Sequence, residues 1–144
     1  ISYSRYLGCR ESFETHGLTL DESWTEACRY SMAEGYAAAG RILDRTEGLT
    51  ALFALSDVMA IGAIRCLRDR GLRVPEDISV VGFDGVALGE YCVPRLTTVR
   101  QDTRSLVHRA AEILLSRLTE PMPPVYETIP FALIPGESAG PSPI

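Results

Sequence analysis

Two nearly uninterrupted apolar runs, LTALFALS over residues 49–56 and ISVVGF over residues 78–83, flank DVMAIGAIRCLRDRG, in which apolar residues recur at three- and four-residue steps. The runs suit strands covered on both faces, and the stretch between them suits an amphipathic helix that closes on Gly71. A strand, a helix and a second strand in such close succession imply parallel pairing with a right-handed crossover, which places the chain in the α/β class.

The flanking sequence fits that class. From Ser4 to His16 the spacing of Tyr6, Cys9 and Phe13 predicts a helix stopped by Gly17, with Arg5 on its first turn. Ser31 followed by Glu34 forms a capping-box signature for a helix that runs to about Arg45, and Gly48 ends it. Leu96 to Arg100 reads as a short extended segment. Asp102 or Thr103 then caps a long helix with Leu106, Val107, Ala110, Leu114 and Leu118 on one face, and Pro121, Pro123 and Pro124 terminate it. Val125 to Ile134 alternates weakly, and Pro130 points to an edge strand or a bulge. The last residues, PGESAGPSPI, have the composition of a flexible tail.

Composition narrows the function classes. With 144 residues and 46% hydrophobic content the chain can bury a sizeable core, and a net charge of −5 offers no broad attraction to phosphates. The cysteines at 9, 28, 66 and 92 are scattered without a C-x-x-C pair, and His16 and His108 stand alone, so neither zinc spacing nor a disulfide framework is present and no cofactor is implied. Reduced thiols in a cytoplasmic protein are the expectation. No apolar run approaches the ~18 residues of a membrane span.

In open parallel sheets ligands gather beyond the carboxyl ends of the strands. Ser56 and Asp57 follow the first apolar run, and either cap the next helix or reach a ligand. Asp84 follows the second run, and either starts a turn with Gly85 or faces the crevice. Arg5 is a solvated surface arginine or a ligand clamp, and Tyr30 a staple residue or a stacking surface. Together they would supply a guanidinium, carboxylates, a hydroxyl and an aromatic face, a set suited to sugar hydroxyls and the apolar face of a sugar ring. No G-x-S-x-G, G-x-x-x-x-G-K-[ST], H-E-x-x-H or G-x-G-x-x-G pattern accompanies them, which favours binding without turnover.

The stretch TALFALSDVMAIGAIRCLRDRGLRVPEDISVVGFDGVALGEYCVPRLTTVRQD resembles the effector-binding half of LacI/GalR-family bacterial transcriptional regulators. The family pattern runs strand-[SN]-D-x-x-A-x-G, then G-x-x-[IV]-P-x-[DE]-[IVL]-S-[IV]-x-[GA]-[FY]-D, then P-x-[LI]-T-[TS]-[IV]-x-Q. Upstream, SRYLGCRESFETHGL is similar to the family's R-x-x-G-[FW]-x-x-x-[LF] helix.

The resemblance implies a periplasmic-binding-protein-like type I fold, with an effector held between two subdomains joined by crossing strands. It implies effector contacts from Arg5, Tyr30, Ser56, Asp57, Asp84 and Gln101, and a hinge over Leu96, Thr97, Thr98, Val99 and Arg100. It further implies a homodimer interface including Val58, Ile61, Val86, Leu88 and Val93. Residues 1–95 would then belong to the C-terminal subdomain, 96–102 to the crossover, 103–134 to a helix and returning strand of the other subdomain, and 135–144 to a flexible tail.

The expected effector is a small molecule, a sugar first and a purine or other polar metabolite second. DNA contact is expected only through a helix-turn-helix domain outside this chain, which opens on Ile1. The rival readings are a periplasmic sugar-binding protein of a transporter and an α/β enzyme using Asp57 and Asp84. Gly85 stands where the family frequently has a second acid, Ser56 where it often has Asn, and Gly136 where a basic residue is usual. On the same analogy the apolar face of the 103–119 helix is expected to be buried by a partner chain or a neighbouring molecule.

Overall fold

A computed structural model describes residues 2–119 and 123–141. Four helices, α1 (Ser2–Thr15), α2 (Met32–Arg45), α3 (Asp57–Asp69) and α4 (Thr103–Thr119), accompany four strands, β1 (Ala51–Phe53), β2 (Ser79–Asp84), β3 (Thr97–Gln101) and β4 (Phe131–Ile134). The sheet order is β1-β2-β3-β4, with the first two pairings parallel and the last antiparallel. The anticipated β1–α3–β2 unit is therefore present, and β4 takes the edge position that Pro130 suggested. Pro121 lies outside the described residues.

The core lies between α3 and the sheet, where Ala60, Ile64, Leu67, Ile78, Val80 and Leu96 are buried together. Helix α2 covers α3 in turn, and Ala39, Ala63 and Cys66 are buried at their contact. The two helices approach so closely that a Cβ at Gly62 would collide with the backbone carbonyl of Met32, and one at Gly35 with that of Met59. All four cysteines are free thiols, and burial pushes the Cys66 thiol up from its ordinary pKa.

Two expectations need correction, on the covering of β1 and on the C-terminal residues. β1 is not covered on both faces: Ala51 and Phe53 are exposed, and an apolar trough of about 510 Å³ opens beside them, lined among others by Tyr6, Phe13, Trp24 and Leu49. Apolar composition carries no information on which strand ends up at the sheet edge. Within the segment expected as hinge, Leu96, Thr97 and Thr98 are buried, and β3 is paired with β2 from Thr97 to Arg100.

The supposed flexible tail is held against the sheet from Gly136 to Ser138. Ser138 is fully buried, and Glu137 and Ser138 both donate their N–H groups to the Arg95 carbonyl. A Cβ at Gly136 would strike the backbone of Arg95 and Leu96, so glycine is what lets this segment lie against the start of β3. Residues 142–144 lie outside the described residues.

Helix α4 is capped by Asp102, whose carboxylate accepts the Ser105 N–H at 3.0 Å and hydroxyl at 2.7 Å. No residue of α4 is buried, and Leu106, Val107, Leu114 and Leu118 are exposed. Arg109 bridges Glu112 and Glu127, which ties the segment after the helix back along it.

Candidate functional site

The parallel strands β2 and β3 end together, with Asp84 in register with Arg100. There Asp84 Oδ1 accepts from Arg5 Nη2 at 2.7 Å and from Gln101 Nε2 at 3.1 Å. Arg5 is fixed twice more: Nη1 donates to the Leu55 carbonyl at 2.6 Å, and the guanidinium lies 4.0 Å from the centre of the Phe83 ring. Arg5 from α1 and Gln101 from β3 thus converge on Asp84 at the end of β2, while Leu55, just after β1, and Phe83 hold the guanidinium.

The Asp84 side chain is 31% exposed and that of Arg5 12%, so the acid is open to solvent while its arginine partner is largely covered. Asp84 has φ 121°, a backbone conformation that non-glycine residues rarely adopt, and Gly85 follows at φ 75°. The two successive positive values turn the chain sharply out of β2. A Cβ at Gly85 would strike Arg100, so the family's common second acid has no room in this geometry.

Asp84, Arg5 and Gln101 are therefore brought together as expected, whereas Ser56 and Asp57 turn inward. The Ser56 hydroxyl caps α3 by accepting the Met59 N–H at 3.3 Å and is 1% exposed. Asp57 is fully buried: Oδ2 accepts the Val86 N–H at 2.7 Å and Oδ1 the Thr98 hydroxyl at 2.5 Å. Both are corrected from effector contacts to structural roles, since they are buried and their side-chain oxygens are taken by donors within the fold. With Asp57 sealed and Asp84 partly exposed, the two acids do not form a solvent-facing pair.

Tyr30 lies just before α2 and is half exposed. Phe83 went unnoticed in the sequence because it reads as one more apolar residue of β2, and only the Arg5 guanidinium over its ring marks it. Among the described residues no group of acidic, cysteine and histidine side chains is arranged to hold a metal ion, and no helix is long and apolar enough to cross a membrane.

A parallel sheet whose carboxyl edge gathers an arginine, an acid, an amide and an aromatic ring defines a ligand-binding α/β domain. Residues 1–139 match the family model of the periplasmic binding protein-like domain. The chain is 40% identical over 116 residues to the HTH-type transcriptional repressor PurR of Haemophilus influenzae (strain PittEE), a match covering 81% of this chain and 34% of that protein. Among solved structures, the transcriptional regulator CelR in complex with cellobiose superposes with TM-score 0.90 at 36% identity, over 94% of this chain and 42% of that one. A LacI-family regulator from Enterococcus faecium with bound ribose superposes with TM-score 0.85 at 29% identity, over 97% and 52%.

The chain belongs to the periplasmic binding protein-like domain family, in the form carried by LacI-type transcriptional regulators. It spans about a third of the length of PurR and corresponds to part of the effector-binding domain.

Proposed function

We propose that this chain is the ligand-sensing part of a cytoplasmic LacI-type regulator, binding a sugar against the Arg5–Asp84–Gln101 floor and acting as a homodimer. The observation that carries the reading is the convergence of Arg5 and Gln101 on Oδ1 of the partly exposed Asp84, beside the Phe83 ring. A carboxylate already oriented by two donors presents its remaining lone pairs to ligand hydroxyls, and the planar guanidinium offers further N–H groups. The cellobiose and ribose held by the two structural relatives support a sugar here.

Such a ligand would regulate by favouring one arrangement of two subdomains over another, with a coupling of about 1–3 kcal/mol typical of allosteric proteins. The crossing segment from Leu96 to Arg100 would carry that rearrangement, with Leu96, Thr97 and Thr98 as its buried part. DNA would be contacted by a helix-turn-helix domain elsewhere in the regulator, consistent with the HTH-type relatives.

The test is a melting-temperature screen of the intact regulator against cellobiose, ribose and hypoxanthine, repeated on Asp84→Ala. A sugar at 100 times its Kd adds about 2.7 kcal/mol to the folded state, so the wild type should melt later and Asp84→Ala should not. Equal stabilisation of both proteins by the same ligand would remove Asp84 from the site, and stabilisation by hypoxanthine alone would replace the sugar with a purine.

A further inference from the structure

We infer that Asp57, buried beneath the effector site, is a positioning residue that sets the direction of Asp84 and the approach of Gln101 through two separate hydrogen bonds. Its functional weight rests on reading Asp84 as the ligand-facing acid, but its geometry does not.

Asp57 occupies the first position of α3, where the free N–H groups of the first helical turn favour a negative charge. A fully buried carboxylate must find donors, and Asp57 finds them on two different segments. Oδ2 takes the Val86 N–H at 2.7 Å. That donor is the first backbone N–H after the pair of positive φ values at Asp84 and Gly85, so it closes the turn that aims the Asp84 side chain toward Arg5. Oδ1 takes the Thr98 hydroxyl at 2.5 Å. Thr98 lies on β3, three residues before Gln101, whose amide donates to Asp84.

Gly82 completes the arrangement. A Cβ on that β2 residue would collide with Asp57 Oδ1, so the absence of a side chain there is what admits the carboxylate beneath the sheet edge. One carboxylate therefore spans the two strands whose ends form the site floor, and a left-handed backbone at a non-glycine residue persists only where the surroundings over-determine it.

The consequence is that loss of Asp57 should disturb Asp84 without touching it. Nuclear magnetic resonance on the isotope-labelled protein reads this directly, through the three-bond amide–α-proton coupling of Asp84, the exchange rate of the Val86 amide, and the Gln101 side-chain amide resonances. In Asp57→Ala, Val86 should exchange at least about tenfold faster and the Asp84 coupling should move toward the average for negative φ. The Val80 amide, held from the far side of the sheet by Ser138, should keep its protection.

Asp57→Asn retains an oxygen for Val86 and an N–H for the Thr98 hydroxyl, and should restore the Asp84 coupling. A general structural role would not distinguish Ala from Asn at Asp84 while leaving Val80 untouched. Unchanged Asp84 coupling and Val86 exchange in Asp57→Ala would overturn the inference.

Should Asp57→Ala lose Val80 protection, Thr98→Val decides the matter, because it cuts one arm alone. Shifted Gln101 amide resonances with an unchanged Asp84 coupling support the two-armed role, and an unmoved Gln101 refutes it. These measurements need no ligand, so they can fail while sugar binding survives. A failed sugar screen, conversely, would leave the brace itself standing.

Discussion

Ser138 and Val80 exchange two hydrogen bonds across 58 residues of sequence: the Ser138 hydroxyl donates to the Val80 carbonyl at 2.6 Å, and the Val80 N–H donates to the Ser138 carbonyl at 2.6 Å. The same hydroxyl oxygen accepts the Thr97 N–H at 2.8 Å. One serine therefore joins β2 to the start of β3 from the amino end of the sheet. Ser138→Ala strands the Thr97 N–H and the Val80 carbonyl in a dry site, which should lower stability by about 1–3 kcal/mol. Urea unfolding checks it, and a change under about 0.5 kcal/mol would mean that the segment does not hold the strands.

Arg5 divides its guanidinium between the Leu55 carbonyl and Asp84 while lying on the Phe83 ring. Lysine has a single nitrogen and no flat face, so Arg5→Lys keeps the charge and loses the geometry. Effector affinity should fall about tenfold or more, the worth of roughly one charge-assisted hydrogen bond. Calorimetric titration with the sugar found in the melting screen measures it, and unaltered affinity would exclude Arg5 from recognition.

The expected dimer surface is exposed in part. In the segment from Val86 to Pro94, Val93 is 74% and Tyr91 83% exposed and Leu88 is exposed as well, while Val58 and Ile61 on α3 are half-buried. Arg68 on α3 donates to the Val93 carbonyl at 2.8 Å and makes helix and loop one surface. Leu88→Glu combined with Val93→Glu should weaken self-association at least about tenfold, since a charge in a desolvated apolar contact is costly. Sedimentation velocity reads the outcome, and an undiminished dimer would place the interface elsewhere.

Acid should lower stability in part through carboxylates held by arginines. Arg45 at 2.6 Å and Arg41 at 2.8 Å keep the Glu26 carboxyl below its ordinary range, and the Arg73 side chain followed by the Arg73 N–H lower Asp77 to about 2. A folded pKa below the unfolded one contributes stability that is present above the unfolded value and lost as pH falls through the folded one. Unfolding free energy should therefore hold above about pH 5 and decline from about 4.5 toward 2. The gap between wild type and Glu26→Gln should be widest at neutral pH and shrink as Glu26 protonates, and a gap independent of pH would show that these pairs do not drive the loss.

The β1–α3–β2 unit was legible because apolar periodicity changes from strand to helix and back within residues 49–83, and that change depends only on neighbours in the chain. Asp84 stood out for a related reason: a lone acid at the end of an apolar strand has few places to point. Arg5 and Gln101 required the family pattern, because nothing local marks an arginine or a glutamine as part of a site. Ser56 and Asp57 show where local reading stops. Their sequence signature announces a helix start, and it is silent on whether the side chains face a ligand or the interior.

The amino-acid order by itself determined the class of fold, the position of its helices and the placing of Asp84 at a strand end, because each depends on residues that are neighbours in the chain. Only the tertiary structure decided that Asp57 turns inward past Gly82, that Phe83 carries Arg5, and that Ser138 is core rather than tail. Each of those outcomes turns on donors or open space supplied by residues far away in the chain, which meet only when the sheet has formed.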